Sequence, residues 1–546
     1  MKKISWLFLI VLVLFSCKGE ETVIPVNAYV ESFTVNGNTV GSGSSTYDLP
    51  TDSNVISIRF SSTINQNQWD ASKFGISGVS SPEIHFLEST DAQTLTFRLD
   101  NALTKFTPYT LTLYSGINLG IKLIDSYFWK FTTEMDTTPR FPVISDDSLL
   151  TLVQHRTFDY FWKYGHPISG LARERFGSGE TVTTGGSGFG LMALLTGIER
   201  GFITRAQGYA RLDTIVNFLS LTSTDKYHGV FPHWMNGTTG KVQPFSSNDN
   251  GADLVETAFL FQGLLTVQAY FKNGNASEKA LCQKIQSLWE NVEWTWFQQN
   301  GQDKLFWHWS PDKGWIMNMP VSGWNEGLII YVLAASSPTH PIAKSVYTNG
   351  WAGNGSMRNG NSYYDITLPL GEPKGGPLFY SHYSFLGLDP RHLSDTYANY
   401  FTQNQAHARI NLAYCIANPQ GNYGYGRQCW GLTASDIPNG YTASSPNNDV
   451  GVIAPTGALS SFPYTPTESM AALRFYYYKL GDKLWGTYGF KDAFSLRQNW
   501  FADSYLAIDQ GPIVVMIENY RTGLLWNLFM SNTDVQAGLT KLGFTY

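Results

Sequence analysis

The sequence predicts a multidomain protein in which a small all-β sandwich is followed by an all-α toroid. Residues 26–135 alternate apolar and polar side chains with the period of two that is typical of half-buried strands. Residues 136–546 instead carry apolar side chains at helical spacing, and several of their helical segments are apolar on every face. The chain has 546 residues, which is enough for two domains that each have a core.

The N-terminus is predicted to be a lipoprotein signal peptide over residues 1–16. Lys2 and Lys3 precede an apolar run, residues 4–15, that is too short to span a bilayer. The residues ending at Cys17 resemble the lipobox of bacterial lipoproteins, and residues 18–21 resemble the export signal of surface lipoproteins in Bacteroidetes. We therefore expect lipidation of Cys17 and a tether over residues 17–25. The protein would then be an outer-membrane lipoprotein that faces the cell exterior or else the periplasm.

The predicted sandwich spans residues 26–135. Segments Val55–Phe60, 95–99 and 109–113 alternate apolar and polar residues, and turn-forming residues separate them at sandwich-like intervals. Residues 128–133 form a predicted last strand, and together with residues 107–113 they resemble bacterial Ig-like domains. This region has no clustered carboxylates or histidines in its sequence, so we expect a spacer. Carbohydrate binding is the alternative.

Residues 136–546 are predicted to form an (α/α)6 barrel. More amphipathic helices, such as residues 205–221 and 277–298, alternate with helices that are apolar on all faces. In such a toroid the inner helices run parallel, so their N-termini open on one face. A seven-hairpin toroid or an irregular α-solenoid would give similar counts. The six apolar helices are predicted to begin near Gly186, Gly251, Gly323, Ser381, Thr465 and Gly511.

Glycines are concentrated in residues 184–190. A dinucleotide-binding loop would follow a strand inside a βαβ unit, whereas this stretch precedes an apolar helix in an all-helical region. It therefore predicts a tight helix entrance rather than a phosphate cradle.

Five carboxylates are predicted to lie at the mouth of the toroid. Asp249, Asp253 and Glu256 are spaced i, i+4, i+7, which places them on one face in the first turns of a helix. Glu326 is predicted in the first turn of the next apolar helix, and Asp509 just ahead of the last one. Because the inner helices are parallel, these three sets of carboxylates would meet at one end of the toroid.

Two explanations account for acidic residues at these positions. The helix macrodipole and capping favour acidic residues at any helix start, and this explanation suffices for Asp249 and Asp509. Asp509 shortly precedes Pro512, a residue type that suits the first position of a helix. Glu256 lies further in, among apolar residues, so its pKa is expected to be raised. One protonated and one ionised carboxyl is what glycoside hydrolysis requires.

The composition favours a neutral ligand with apolar ring faces. Only 15% of residues are charged, against about 25% in an average soluble protein, while 15% are aromatic. The net charge of −6 argues against nucleic acid as a partner. Aromatic and polar residues gather in the loops ahead of the apolar helices, where sugar rings could stack on them. These loops contain Phe231-Pro232-His233-Trp234, Phe306-Trp307-His308-Trp309, Phe379-Tyr380-Ser381-His382-Tyr383 and Tyr425-Gly426-Arg427-Gln428-Cys429-Trp430.

Neither a metal nor a disulfide framework is expected. His233, His308 and His382 belong to no local pair with metal-ligand spacing. With Cys17 lipidated, three cysteines remain, Cys282, Cys415 and Cys429; an odd number cannot form a disulfide framework, and no two of them have ligand spacing.

Five separated motifs, in order, resemble the glycoamylase-like domain of bacterial glycoside hydrolases, and most closely the β-1,2-glucanases of glycoside hydrolase family 144. The resemblance covers about residues 140–546. It implies an (α/α)6 barrel and anomer-inverting hydrolysis of β-1,2-glucan or sophoro-oligosaccharides without a cofactor. The motifs are Phe231-Pro232-His233-Trp234 with Thr239-Gly240, Asn248-Asp249 through Glu256, Trp324-Asn325-Glu326-Gly327, Pro377-Leu378-Phe379 to Asp389-Pro390-Arg391, and Ile508-Asp509-Gln510-Gly511-Pro512 with Glu518-Asn519-Tyr520-Arg521.

On this resemblance, Asp249, Asp253, Glu256, Glu326 and Asp509 match the family's acidic cluster and are the predicted catalytic residues. Glu326 would protonate the leaving glycosidic oxygen and Asp509 would activate water, with the two carboxyls roughly 6.5–9.5 Å apart if the reaction inverts the anomer. The other three would bind the sugar or tune neighbouring pKa values. The predicted substrate-binding residues are Arg173, His233, Trp234, Trp307, Trp309, Tyr383, Arg427, Trp430, Glu518 and Arg521.

Two alternatives stay open at this stage. A non-catalytic surface glycan-binding protein would bind saccharide without releasing reducing ends. A polysaccharide lyase or another β-glucan hydrolase could use the same barrel, and a lyase would need Arg or Lys residues to clamp a uronate. Arg173, Arg175, Arg427 and Arg521 are the candidates for that clamp. A monomer is expected, and whether the enzyme acts in endo or exo fashion depends on loops that the sequence does not position.

Overall fold

The computed structural model describes residues 24–41, 45–51, 54–89 and 91–546. The chain divides into two compact units, Met1–Asp136 and Thr137–Tyr546. The predicted signal peptide, Cys17 and most of the predicted tether lie outside the described residues. In the described part, Cys282, Cys415 and Cys429 are free thiols.

The first unit is an all-β sandwich, as predicted. A four-stranded sheet has the order β4-β12-β9-β6, a five-stranded sheet the order β3-β2-β5-β8-β7, and a small third sheet the order β1-β11-β10. The strands are β1 (Val26–Ala28), β2 (Val30–Val35), β3 (Asn38–Thr39), β4 (Ser45–Leu49), β5 (Val55–Phe60), β6 (Phe74–Ile76), β7 (Ile84–Leu87), β8 (Thr94–Leu99), β9 (Pro108–Leu113), β10 (Gly116–Asn118), β11 (Ile121–Leu123) and β12 (Tyr127–Thr133).

The alternation in the sequence corresponds to the two faces of these strands. In β5, Ile56, Ile58 and Phe60 are buried, while the residues between them are partly exposed. Successive side chains of a strand point to opposite faces, so one face of β5 packs into the core. Phe33 of β2 stacks on Trp129 of β12 with ring centroids 4.2 Å apart, which joins the two large sheets through their inner faces.

The second unit is helical. Its helices are α1 (Asp146–Lys163), α2 (Thr184–Glu199), α3 (Arg205–Ser220), α4 (Leu254–Phe271), α5 (Ala276–Glu290), α6 (Leu328–Ser336), α7 (Tyr400–Ala417), α8 (Pro455–Leu459), α9 (Pro466–Tyr478), α10 (Gly481–Leu484), α11 (Ala507–Thr522), α12 (Leu524–Met530) and α13 (Thr533–Leu542).

Short strands lie in the loops between the helices. Most of them pair as two-stranded ribbons. They are Thr181–Thr183, Trp234–Asn236, Val242–Gln243, Ala252–Asp253, Leu305–Phe306, His308–Trp309, Pro320–Val321, Ser362–Tyr363, Ile366–Thr367, Ala434–Ile437, Gly440–Ala443, Trp485–Gly486, Gly489–Phe490, Phe494–Ser495 and Trp500–Phe501.

The helices form two concentric rings, which confirms the predicted toroid. The inner ring consists of α2, α4, α6, the segment 378–386, α8 and α11, each in contact with the next. Helices α3, α5, α13, α7, α9 and α1 pack outside these elements in the same order. Helix α4 is long and apolar enough to cross a membrane by length and composition, but 89% of its most apolar window is buried inside this unit.

Two of the six predicted inner helices were placed incorrectly. Near Ser381 there is no α-helix; two 3-10 turns, Leu378–Ser381 and Tyr383–Leu386, take that place in the ring. The helix that begins at Pro466, α9, belongs to the outer ring because one face is exposed, and the shorter buried helix α8 is the inner element. An apolar segment is buried in either conformation, so hydrophobicity alone did not separate these cases.

Glycine allows α2 and α4 to pack with their backbones in contact. A Cβ atom on Gly188 would lie 2.1 Å from the carbonyl oxygen of Phe259, and one on Gly263 would lie 2.2 Å from the carbonyl oxygen of Gly188. Such distances are far below van der Waals contact, so no larger residue fits without moving a helix. The glycine-rich stretch is therefore a helix entrance, as predicted, since residues 184–190 form the first turns of α2.

Candidate active site

A cavity of about 310 Å³ opens where the N-terminal ends of the inner helices meet. Thr183 precedes α2, Glu256 lies in the first turn of α4, and Leu506 precedes α11. Aromatic and aliphatic side chains form most of the wall, together with one ion pair, Glu174 and Arg175. The remaining wall residues are His233, Trp234, Phe245, Phe379, Tyr383, Ala434, Tyr441 and Ile508.

Asp253 caps α4 and organises the loops around it. Its Oδ1 accepts a hydrogen bond from the backbone N–H of Glu256 at 2.9 Å, which satisfies a helix N-terminus. Its Oδ2 accepts a hydrogen bond from Trp307 Nε1 at 3.1 Å and lies 3.0 Å from Nδ1 of His233. Asp253 is fully buried, and these contacts provide hydrogen-bond partners for both of its oxygens.

Asp249 lies in the loop before α4 and forms ion pairs with two histidines. Its Oδ2 is 3.3 Å from Nε2 of His308 and 3.6 Å from Nδ1 of His233. Burial by itself would raise the pKa of Asp249, but the hydrogen bonds to both histidines outweigh burial and lower the pKa to about 2. Burial lowers the pKa of His233, yet the surrounding carboxylates, Glu256 first among them, bring it well above its usual value. The loop position corrects the prediction that Asp249 lies on α4.

Glu256 lies at the wall of the cavity beneath the start of α2. The backbone N–H of Gly185 donates to its Oε2 at 2.8 Å, and a Cβ on Gly185 would approach that oxygen to 2.5 Å. Burial raises the pKa of Glu256 to about 7; the charge of His233 opposes the rise and that of Asp253 adds to it. This carboxyl can therefore hold or release a proton near neutral pH.

Glu326 lies in the turn just before α6 rather than in its first turn, which corrects the predicted placement. Helix α6 begins at Leu328, and the backbone carbonyl of Glu326 accepts a hydrogen bond from Ser384 Oγ. Burial raises the pKa of Glu326 to about 7, and the charge of Glu256 adds to the effect.

Asp509 lies inside the first turn of α11, which begins at Ala507. The helix therefore starts earlier than predicted, and Pro512 lies within it rather than at its first position. Burial and the neighbouring charge of Asp492 raise the pKa of Asp509 well above its usual value. Asp509 is 4% exposed, and its Oδ2 has no hydrogen-bond donor among the described residues.

One phenol connects the three helix starts. The hydroxyl of Tyr383 has its pKa raised by burial and by the charges of Asp509, Glu326 and Glu256, among others. Tyr383 also stacks on Phe379, with ring centroids 5.0 Å apart. The charges of carboxyls from the starts of α4 and α11 and from the turn before α6 thus all act on Tyr383, and of these three carboxyls Glu256 is the one that lines the cavity. The predicted separation of Glu326 and Asp509 stays a prediction.

Three side chains offer ligand atoms close enough to share a metal ion. The possible ligand atoms of His233, Asp249 and Asp253 lie within 4.8 Å of one another. However, the two carboxylates already bind donors from His233, His308 and Trp307, and the raised pKa values of both histidines favour their cationic forms. A cationic imidazole cannot coordinate a metal, so this set fits an ion-pair network better than a metal centre.

The predicted substrate-binding residues divide into two groups. His233, Trp234 and Tyr383 line the cavity. Trp307 stacks on His308 and donates to Asp253, which places it behind the wall formed by His233. Trp309 packs against other rings, those of Tyr227, His228 and Trp296.

Like Trp307 and Trp309, the other five predicted substrate-binding residues are not among those that line the cavity. Arg173 donates to backbone carbonyls of Gly179 and Tyr164, and Trp430 is fully buried. Arg427 is exposed on its loop. Glu518 pairs with Arg200, and Arg521 pairs with Asp147, both at the C-terminal end of α11. Because the helix carries Asp509 in its first turn, these two residues lie at its opposite end.

The structure adds cavity residues that the sequence analysis did not select. Tyr441 follows the Asn439-Gly440 pair of a two-stranded hairpin, and that dipeptide is a turn signal the sequence does contain. Glu174, Phe245 and Leu506 have no such signal. Their loops meet only because the helices that follow them are parallel.

Comparison with known proteins agrees with this architecture. Residues 318–533 match the Glycoamylase family, described as "Putative glucoamylase", and residues 30–133 match the bacterial Ig-like domain family Big_5. The chain is 50% identical over 421 residues to an exo-β-1,2-glucooligosaccharide sophorohydrolase (non-reducing end) of Parabacteroides distasonis. That match covers 73% of this chain and 58% of the relative, so the chain spans little more than half of that protein's length.

Solved structures give the same result. The endo-β-1,2-glucanase of Chitinophaga pinensis is 53% identical, with a TM-score of 0.72, over 74% of this chain and 99% of its own. A β-1,2-glucanase of Parabacteroides distasonis is 41% identical, with a TM-score of 0.71, over 94% of this chain and 74% of its own. Fold and site thus define a helical-toroid protein with a carboxyl-bearing cavity. The chain belongs to the Glycoamylase family, together with these β-1,2-glucanases.

Proposed function

We propose that this protein is a glycoside hydrolase that cleaves β-1,2-glucan or sophoro-oligosaccharides by an anomer-inverting acid/base mechanism. The observation that carries the proposal is the ring-lined cavity, at whose wall Tyr383 is acted on by the charges of carboxyls from three helix starts. Glu256 and Glu326 both have pKa values raised to about 7, so a proton donor is present near neutral pH. The family relationship supports the choice of a β-1,2-linked glucan.

In this mechanism Glu326 donates a proton to the leaving glycosidic oxygen. Asp509 accepts a proton from a water molecule whose oxygen bonds to the anomeric carbon as the glycosidic bond breaks. The proton that Glu326 loses and the one that Asp509 gains are exchanged with solvent before the next turnover. Phe245, Trp234 and Phe379 offer ring faces to the apolar C–H faces of the sugar, as expected for a neutral glycan.

The charges of the cavity favour a hydrolase over a lyase. Of the four arginines considered for a uronate clamp, only Arg175 lines the cavity. Its guanidinium is paired with Glu174 at 2.9 Å and with Asp436 at 3.1 Å, so its positive charge is already balanced. The other cation of the wall, His233, is paired with Asp249 and Asp253, so a uronate carboxylate would meet no unpaired cation among the wall residues.

Product analysis tests the proposed function. The full chain incubated with linear β-1,2-glucan should release reducing ends and no ultraviolet-absorbing unsaturated product. Release of sophorose alone would indicate exo action, like that of the Parabacteroides distasonis sophorohydrolase. A ladder of oligosaccharides would indicate endo action, like that of the Chitinophaga pinensis glucanase. Saccharide binding without product would instead identify a glycan-binding protein.

The acid and base assignments are tested by isosteric substitutions. Glu326→Gln and Asp509→Asn should each lower kcat by at least about 100-fold, because general acid or base catalysis contributes that much. Glu290→Gln, on the exposed face of α5, is the matched control and should retain the wild-type rate. Near-normal rates for folded Glu326→Gln or Asp509→Asn protein would contradict the assignment.

We also propose that the protein is an outer-membrane lipoprotein anchored through Cys17. The support is the short apolar run at residues 4–15 followed by the lipobox-like residues before Cys17. Mass spectrometry of the mature N-terminus should find an acylated cysteine, and Cys17→Ser protein should leave the membrane fraction. An unmodified Cys17 in the mature protein would contradict the proposal.

A further inference from the structure

A second buried carboxyl, Asp492, faces Asp509 and has no role in the mechanism described so far. Gln510, the residue after Asp509, donates from Nε2 to the carbonyl of Phe490, two residues before Asp492, at 3.0 Å, and each carboxyl shifts the pKa of the other. Asp492 Oδ1 and Asp509 Oδ2 are both buried, and neither oxygen has a hydrogen-bond donor in the rest of the described chain. Both residues are only 4% exposed. Two carboxylate oxygens in contact repel each other, so one proton must lie between them.

The contacts on either side of the pair decide which residue holds this proton. The backbone N–H of Asp436 donates to the other oxygen of Asp492, Oδ2, at 2.7 Å. A charged acceptor is stabilised by such a bond, so Asp492 is the better site for the negative charge. The Asp509 side chain accepts no corresponding bond from the described residues. The proton therefore resides on Asp509, which donates it to Asp492.

The charged and titratable groups around the pair do not remove this preference. Arg175 is the cation whose charge acts on both carboxyls, and Glu174 and Asp436 pair with its guanidinium. Tyr383 and Tyr441 face Asp509 from the segment 378–386 and from the hairpin strand Gly440–Ala443. Burial and the neighbouring negative charges raise the pKa values of both phenols, so neither adds a charge at neutral pH.

The backbone holds the pair in a fixed geometry. The N–H of Asp492 donates to the carbonyl of Ser504 at 3.0 Å, and Ser504 Oγ donates to Asp436 at 2.5 Å. On the other side, the carbonyl of Asp509 accepts a hydrogen bond from Thr456 Oγ1 of α8 at 2.9 Å. The loop of Asp492 is thus bonded to residues on both sides of the start of α11, through Ser504 and through Gln510.

We propose that Asp492 is a positioning residue for Asp509: it accepts a hydrogen bond from the protonated Asp509 carboxyl, holds that carboxyl in place and keeps it neutral until the proton leaves to solvent. The proposal rests on the proposed function, in which Asp509 acts as the base. It deepens that function, because the base becomes available only at a pH high enough to ionise the pair. Asp492 itself is not assigned any contact with substrate.

Asp492→Asn is the sharpest test. The amide oxygen of asparagine can still accept a hydrogen bond from the Asp436 N–H, and its amide NH2 can donate to Asp509. The substitution therefore keeps the contacts of residue 492 while it removes the like charge. The acid limb of kcat/KM against pH should move to lower pH by about one pH unit or more, with KM unchanged. A profile that superimposes on the wild type, or moves to higher pH, overturns the proposal. Asp395→Asn changes a partly buried carboxyl that accepts hydrogen bonds from Tyr347 and Tyr400; it is the control for a purely structural loss and should not move the limb.

A substrate-free measurement separates this proposal from the proposed function. Because the pKa of Asp509 is higher in the folded than in the unfolded chain, the pair stabilises the fold at low pH and the stabilisation is lost as pH rises through the folded pKa. The fall in Tm between pH 5 and pH 8 should be smaller in Asp492→Asn than in the wild type. Asp509→Asn also removes the pair, so it should show the same smaller fall, and it serves as the test if Asp492→Asn fails to fold. An unchanged fall in both variants overturns the shared proton. Wild-type protein that releases no product at any pH would overturn the proposed function alone.

Discussion

Carboxyl groups of the same chemical type have widely different pKa values within this one site. Asp249 has a pKa of about 2 because two histidines bind it, while Glu326 has a pKa of about 7 because burial dominates. The pKa of Asp509 is raised by burial together with a second carboxyl, Asp492. Pairs of groups whose environments separate their pKa values are the usual basis of acid/base assignments. In this protein the separation arises from the contacts of each carboxyl and not from its residue type.

The ion pairs of Asp249 lead to a prediction for His308. In Asp249→Asn protein the pKa of His308 should fall, because a hydrogen bond and a negative charge that raise it are lost. A pH titration followed by histidine NMR measures this. His382, which is hydrogen-bonded to Ser461, is the internal control and should titrate as in the wild type. An unchanged His308 titration would show that Asp249 does not set its charge.

At the scale of elements, the approach of α2 to α4 depends on glycine. Gly188→Ala should lower the free energy of unfolding by about 1–3 kcal/mol, because the new methyl group would overlap a backbone oxygen that cannot move aside. Urea unfolding measures the loss. Gly426→Ala is the matched control: no atom lies within 4 Å of the position that its methyl group would take, so its stability should stay within about 0.5 kcal/mol of the wild type. Equal stabilities for the two variants would contradict the packing argument.

The sequence predicted elements best where a single period covered the whole segment. Strand β5 and helices α3 and α5 begin within a residue of the predicted positions, because alternation or amphipathicity marks where they start. Helix α5 ends at Glu290 and not at Gln298 as predicted, and Trp294–Gln298 is a separate 3-10 helix. The segment 378–386 was predicted as a helix because it is apolar, yet it folds as two 3-10 turns. Its conformation is fixed by partners distant in sequence, such as Ser461 and Tyr464, which bond to His382 and Ser381.

At the scale of the whole molecule, the two compact units lead to a prediction about the helical one. The Chitinophaga pinensis glucanase is matched over 99% of its chain by 74% of this one. A fragment of residues 137–546 should therefore fold and keep the wild-type kcat on β-1,2-glucan, since the cavity lies within that unit. Circular dichroism establishes folding and reducing-end release measures kcat. A folded fragment without activity would assign a catalytic part to the sandwich.

The sequence by itself determined the two fold classes, the alternation of inner and outer helices and the identity of the carboxyls at the helix starts, because hydrophobic periodicity and capping residues are local properties. The tertiary structure decided which of these residues share a cavity. Arg521 and Asp509 belong to one helix and one motif, yet they lie at its two ends. Asp492 lies in a loop that carries no sequence signal. Its backbone bond to Ser504 and the bond from the Asp436 N–H to its side chain hold it near Asp509. The pKa of each carboxyl depends on its burial and on its distance to charged neighbours across the fold. Those distances are set only when the toroid closes.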